Sequence, residues 1–259
     1  MQSHNPVLNR AFDRPRSTYQ TPAPSAEQLE QMYQAPPAGP LQTGRMTYDD
    51  VVTRGGMMFA VLLVGAVIGW QLPGLALVGF VAGLVLALVN IFKREPSPAL
   101  ILAYAGFQGL FLGGISVILE SYTPSSIVPQ AVLGTMGVFA VSLWAYKSGR
   151  IRVTPKFQRG VLIALGGYLI FVVFNLIAQW ANWTDGPFGF RQGSLGIVIG
   201  LFAIGLAALV LVLDFDFIEK GVQAGIPNKY AWTAAFGLTV TLVWLYIEML
   251  RLLAILQGE

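Results

Sequence analysis

The sequence predicts an all-α, polytopic integral membrane protein with seven transmembrane helices. Three observations predict it. Hydrophobic residues make up 55% of the 259 and charged residues only 11%, against about 25% charged in soluble domains. The excess lies in residues 55–258, which divide into apolar runs of the length needed to cross a bilayer, about 20 helical residues each. Basic residues gather in alternate connections between those runs, the pattern that sets orientation in membrane helices.

In chain order, residues 1–54 carry Pro6, Pro15, Pro22, Pro24, Pro36, Pro37 and Pro40 among Ser, Gln, Ala and Thr. Large apolar side chains are too few to offset the entropy of ordering such a segment. Residues 1–45 are therefore expected to form a disordered cytoplasmic tail, and 46–259 the seven-helix domain. No apolar core occurs in the first thirty residues, so the start does not read as a signal peptide. Thr47 followed by Asp49 and Asp50 reads as an N-cap with acids in the first turn, favourable to the helix dipole.

The spans are predicted at Gly55–Leu72, Gly74–Phe92, Ala99–Leu119, Ile127–Tyr146, Val161–Asn182, Leu195–Leu213 and Ala231–Leu256. Pro73 makes the first two a tight hairpin, and Pro96 and Pro98 impose a sharp break after the second, because proline ends a helix and restricts the residue before it. Arg45, Arg54, Lys93, Arg94, Lys147, Arg150, Arg152, Lys156, Arg159, Lys220 and Lys229 all fall on the N-terminal side. The opposite loops, Ser121–Ser126 and Trp183–Gln192, hold only Arg191. This places the N-terminus in the cytoplasm and the C-terminus outside. Trp70, Trp180 and Trp183 fit the outer interfacial belt, and Trp144 and Tyr146 the inner one. The pairs Gly65/Gly69, Gly79/Gly83, Gly109/Gly113 and Gly196/Gly200 are spaced to let helix backbones approach closely.

The chain has no cysteine, and its single histidine, His4, lies in the tail. Disulfides, thiolate or histidine metal sites, and Ser-His or Cys-His catalysis are thereby excluded from the spans. No nucleophile–base pair is visible, so neither enzyme chemistry nor a cofactor is expected, and nothing points to nucleic acid. With no histidine in a span, any pH response there would rest on carboxylates.

An ionisable group at the bilayer centre costs at least about 2.5–3.5 kcal/mol, which makes each one a functional candidate. Leu209 to Glu219 is an apolar run ending in Asp214, Asp216 and Glu219. At 1.5 Å per residue Asp214 lies roughly 30 Å from the outer start of the sixth span, near the inner boundary. Asp214 and Asp216 point about 200° apart and cannot hold one ion from the same face. Asp216, Glu219 and Lys220 read as a solvated helix end, and Asp214 as the acid facing the bundle. Lys93 and Arg94 are the cations nearest to it in depth. On the last span Glu248 and Arg251 are i, i+3 and can pair, either as an anchor or as an outer gate, with Glu120 at a similar level.

Two stretches, Leu213-Asp214-Phe215-Asp216-Phe217-Ile218 and Leu238-Thr239-Val240-Thr241-Leu242 through Met249-Leu250-Arg251-Leu252-Leu253-Ala254-Ile255-Leu256, carry a resemblance. Basic residues ending the second span and Tyr104-Ala105-Gly106 in the third agree with it. The spans resemble the Bax inhibitor-1 family (the transmembrane Bax inhibitor motif proteins), in a bacterial branch with a long N-terminal tail. The resemblance implies six helices wrapped around the seventh and, for some bacterial members, a pH-sensitive calcium leak. In those members two aspartates, one on the sixth span and one on the seventh, share a proton and close the cytoplasmic end. Asp214 matches the first; Thr241, which cannot ionise, stands in place of the second. Arg251 matches the family's outer basic residue, whose usual acidic partner on the second span is absent, leaving Glu248 or Glu120 to substitute.

The resulting expectation is a pH-influenced calcium or cation leak or exchanger of the bacterial plasma membrane. Its ion-path candidates are Asp214, Thr241, Asp216, Lys93, Arg94, Glu248, Arg251 and Glu120. The alternative is a regulator restraining a membrane AAA protease through its tail, as some relatives do. A structural membrane protein without transport comes third. The expected partners are accordingly the lipid bilayer, a calcium ion and a membrane protease.

Overall fold

The computed structural model describes residues 25–27, 30, 44–123, 126–184 and 188–258. Nearly all of the expected disordered tail, 1–45, lies outside the described residues. Among those described, the chain forms α1 (Tyr48–Gln71), a short 3-10 turn (Pro73–Leu75), α2 (Ala76–Phe92), α3 (Pro98–Glu120), α4 (Ile127–Lys147), α5 (Pro155–Trp180), α6 (Gly193–Gln223), a second 3-10 turn (Asn228–Tyr230) and α7 (Ala231–Gly258). Seven helices are long and apolar enough to cross a membrane. The molecule is an all-α multi-pass membrane protein.

The helix starts follow from local chemistry. Thr47 and Asp50 form a capping box at α1: the Asp50 amide donates to Thr47 Oγ1 (3.1 Å) and the Thr47 amide to Asp50 Oδ2 (3.0 Å), satisfying two otherwise orphaned donors. Pro98 and Pro155 occupy the first positions of α3 and α5, where the missing N–H is harmless. Three helices start or end well outside their apolar runs. α1 begins at Tyr48, directly after the expected Thr47 cap and ahead of the apolar run from Gly55; α5 begins at Pro155, ahead of Val161; and α6 continues to Gln223, past Leu213. Charge does not end a helix. The chain stays helical past Asp214 and Asp216 until Gly225, with φ +62°, turns it. At 1.5 Å per residue α6 is about 46 Å long, more than the roughly 30 Å of a hydrocarbon core.

α7 is the innermost helix, with 56% of its apolar window buried against 17% for the span containing α2. α1, α3, α4 and α6 line α7, and α5 reaches it through Tyr168 on Trp244, ring centroids 5.5 Å apart. α2 packs on α3, with Phe80 against Phe111 at 5.2 Å. The outward faces of α2 and α5, such as Leu77, Val81, Leu88, Ile163, Ile170 and Val173, are exposed and apolar, as lipid contact requires.

The closest helix contact is α1 on α3. A Cβ on Gly65 or Gly69 would overlap the carbonyl oxygens of Gly106 and Leu110, and one on Gly109 or Gly113 those of Leu62 and Ala66. Two of the small-residue pairs thus face each other, backbone on backbone. Gly79 of the third pair does the same against Phe107 and Phe111, while Gly83 makes room for the Gln108 side chain.

Ahead of α1, the chain is clamped to the α6–α7 connection. The Met46 amide donates to Ile226 O (2.8 Å), and the Asn228 amide to Gly44 O (2.8 Å), around a bridge between Arg45 and Pro227. The Asn228 side chain donates to Asp50 Oδ1 (2.9 Å) and accepts from Arg54, whose guanidinium lies 5.5 Å from the centroid of the Trp232 ring. Asn228→Ala removes the side-chain part of this clamp, at a cost of about 1 kcal/mol. Hydrogen exchange at the Met46 amide should accelerate in that variant, whereas unchanged protection would show the backbone pairing to be sufficient alone.

Candidate functional site

Two polar centres lie along α7, one at the level of Thr241 and one at Glu248. At the first, Thr241 Oγ1 donates to Asp214 Oδ2 at 2.7 Å and also lies 3.2 Å from Gly237 O. One hydroxyl hydrogen cannot fully serve both, and the shorter bond to a carboxylate is the stronger. Gly237 leaves space beside Asp214: a Cβ there would sit 3.8 Å from Oδ1. Asp214 is half-buried and faces α7.

The other acids of α6 turn elsewhere. Asp216 pairs with Lys220 (2.6 Å), as their i, i+4 spacing allows. Glu219 is not simply solvated: it accepts from Tyr146 of α4 (2.5 Å) and from Gln223 (2.9 Å). Tyr146, expected in the inner interfacial belt, is half-buried and also packs on Phe215. Trp180 and Trp183 are well exposed at the opposite end. Lys93 and Arg94 are exposed, and neither forms an ion pair with Asp214. Equal depth did not bring them together, because α2 packs on α3. Their neighbour Glu95 instead meets Lys229 at 2.7 Å. That hydrogen bond holds the Glu95 carboxyl below the usual carboxylate range.

At the second centre Glu248 and Arg251 are each only 3% exposed and pair directly, Arg251 Nε also lying 3.2 Å from Glu248 Oε2. Tyr168 of α5 donates to Glu248 Oε1. Arg191, from the connection before α6, reaches the same oxygen (3.1 Å) and donates to the Tyr168 hydroxyl (2.9 Å). Its carbonyl receives Arg251 Nη1 at 3.5 Å. The Arg191 segment is docked by Asn175, which accepts from the Phe190 amide (2.8 Å) and donates to Phe188 O (3.3 Å). Gly200 lies against this face of α7: a Cβ there would crowd the Leu252 side chain at 3.2 Å and come into ordinary contact with Arg251 Nη2 at 3.6 Å. Glu120 is half-exposed, and among the described residues it forms no ion pair with Arg251. On the same side of α3, Ser116 meets the Tyr246 hydroxyl at 2.8 Å.

Tyr168 and Arg191 escaped the sequence reading. The one available signal was that Arg191 is the single charge of its sign in the outer loops. Arg54, read only as an orientation charge, turned out to serve the clamp.

Seven residues, or about 10 Å of helix, separate Thr241 from Glu248. Trp244 stands between them on the same face, at i+3 from one and i+4 from the other. It packs on the Tyr168 ring and joins an apolar cluster with Leu206 and Val210, which lie outward of Asp214 on α6. The two polar centres are therefore divided by an apolar layer. Among the described residues no three His, Cys, Asp or Glu side chains gather as a metal site.

A family model described as Bax inhibitor 1 like matches residues 5–258. No curated protein matches the chain significantly.

Proposed function

The chain belongs to the Bax inhibitor 1 like family, and from that premise we propose that it is a slow calcium or cation leak of the bacterial plasma membrane. The observation carrying this reading is Asp214, a carboxylate turned into the bundle and met by Thr241 at 2.7 Å. On this reading Asp214 and Thr241 form the inner constriction, and Glu248, Arg251, Arg191 and Tyr168 the outer one. On the same reading, the apolar side chains around Trp244 close the path between the two constrictions. The basic connections support a cytoplasmic N-terminus and an outside C-terminus. Because a hydroxyl faces Asp214 where a second acid would be needed for proton sharing, the constriction titrates as one group and not as a coupled pair.

Calcium uptake into proteoliposomes tests this. The native protein should exceed empty liposomes, and Asp214→Asn should lower the flux at least about tenfold, since loss of a facing charge at close range is worth more than 1.4 kcal/mol. Native flux equal to that of empty liposomes removes the proposal.

The clamp at Gly44–Met46 favours a second reading, regulation of a membrane protease through the tail, because a pull on the tail would load the connection between α6 and α7. Deleting residues 1–42 separates the two. A leak survives the deletion, whereas control of protease turnover does not.

A further inference from the structure

On the outer surface between α5 and α6 runs an apolar groove of about 550 Å³, lined among others by Phe157, Gly160 and Ala164 on α5 and Phe202, Gly205 and Leu209 on α6. It exists because two side chains are missing. A Cβ on Gly160 or Gly205 would meet nothing within 4 Å, so no close helix contact requires glycine at either place. The two helices run antiparallel in the bundle, which brings Phe157 level with Leu209 at the end carrying the basic connections.

That end has a strong charge bias. Lys147, Arg150, Arg152, Lys156 and Arg159 fall within thirteen residues, and no Asp or Glu occurs between Glu120 and Asp185. Arg150 covers the Trp144 ring at 4.4 Å. Lys147, Arg152, Lys156 and Arg159 make no ion pair among the described residues. Lys156 lies one turn before Gly160, on the groove's side of α5. On α6 the nearby Asp216 is already neutralised by Lys220 at 2.6 Å. The α5 side of the groove's mouth, open to the bilayer, is thus left with cations outside any ion pair, while the α6 carboxylates Asp214 and Glu219 are turned to Thr241 and Tyr146.

We propose that this groove binds one anionic phospholipid, with an acyl chain lying between Gly160 and Gly205 and the headgroup held by Lys156 and its basic neighbours. The chain fills a space that protein side chains leave open. The cations at its polar end select a phosphate-bearing headgroup of net negative charge over a zwitterionic one, because each juxtamembrane basic residue attracts anionic lipid. The site is independent of any transport by the bundle.

Native mass spectrometry of the full chain in detergent, titrated with phosphatidylglycerol or phosphatidylcholine, tests it. The native protein should retain one phosphatidylglycerol in preference to phosphatidylcholine. Filling the groove with Gly160→Leu and Gly205→Leu should abolish that retained molecule. Lys156→Gln with Arg159→Gln, outside the groove and independent of its packing, should erase the preference, by about fivefold per cation removed. Equal retention of the two lipids by the native protein overturns the proposal. So does an unchanged preference in the charge variant, or undiminished phosphatidylglycerol in a folded groove-filled variant.

Discussion

Glu248→Gln should lower the thermal unfolding temperature in detergent more than any other single change at the two polar centres. Among the described residues Glu248 is the only carboxylate paired with the guanidiniums of Arg251 and Arg191, and it and Arg251 are each 3% exposed. Removing its charge leaves Arg251 buried without a counterion, and stranding one partner of a buried pair costs about 3–5 kcal/mol. Tyr168 does not compensate, since its hydroxyl donates to the same carboxylate. Replacing Glu248 and Arg251 together by methionine should recover much of the loss, because an apolar pair of similar volume needs no counterion. Arg191, with 16% of its side chain exposed, can turn toward solvent in that variant. A Glu248→Gln protein that melts at the native temperature would mean that water reaches the guanidiniums and that the centre is not a sealed network.

Gly109→Ala comes next. Its new Cβ would fall on the Leu62 carbonyl oxygen and crowd the Ala66 nitrogen, both backbone atoms that no rotamer change can move. α1 and α3 would have to separate, and overpacking of this kind costs about 1–3 kcal/mol. Gly137→Ala on α4 is the matched control. Nothing lies within 4 Å of its Cβ, and alanine is about 0.5–1 kcal/mol better than glycine inside a helix. The first substitution should lower the unfolding temperature, and the second should leave it unchanged or raise it. Equal behaviour of the two would show that the α1–α3 contact has slack.

The fold was legible because lipid imposes simple rules. Run length and the prolines at 73, 96 and 98 gave the spans, and Thr47 with Asp50 gave the first cap. The inner end of α6 was not legible from hydropathy, because a helix leaving the bilayer continues in water until a residue such as Gly225 turns the chain. At the site, the residues close in sequence could be read. Glu248 and Arg251 pair at i, i+3 as their spacing allows. Tyr168 and Arg191 join them from 80 and 57 residues away, and no local pattern encodes such a meeting. Depth was a poor guide for Lys93 and Arg94, since it fixes a level along the bundle normal and says nothing about the direction a helix faces.

The clamp between Gly44–Met46 and Ile226–Asn228 carries a consequence for biogenesis. Its side-chain bond from Asn228 to Asp50 spans 178 residues, so the segment leading into the first helix has no partner until the seventh is being made. The emerging bundle must stay unlatched at that end through six insertions, and it closes only when translation is almost complete. A ribosome-bound chain stopped after α6 would therefore present a loose leading segment, open to capture by quality-control factors that the finished protein no longer admits.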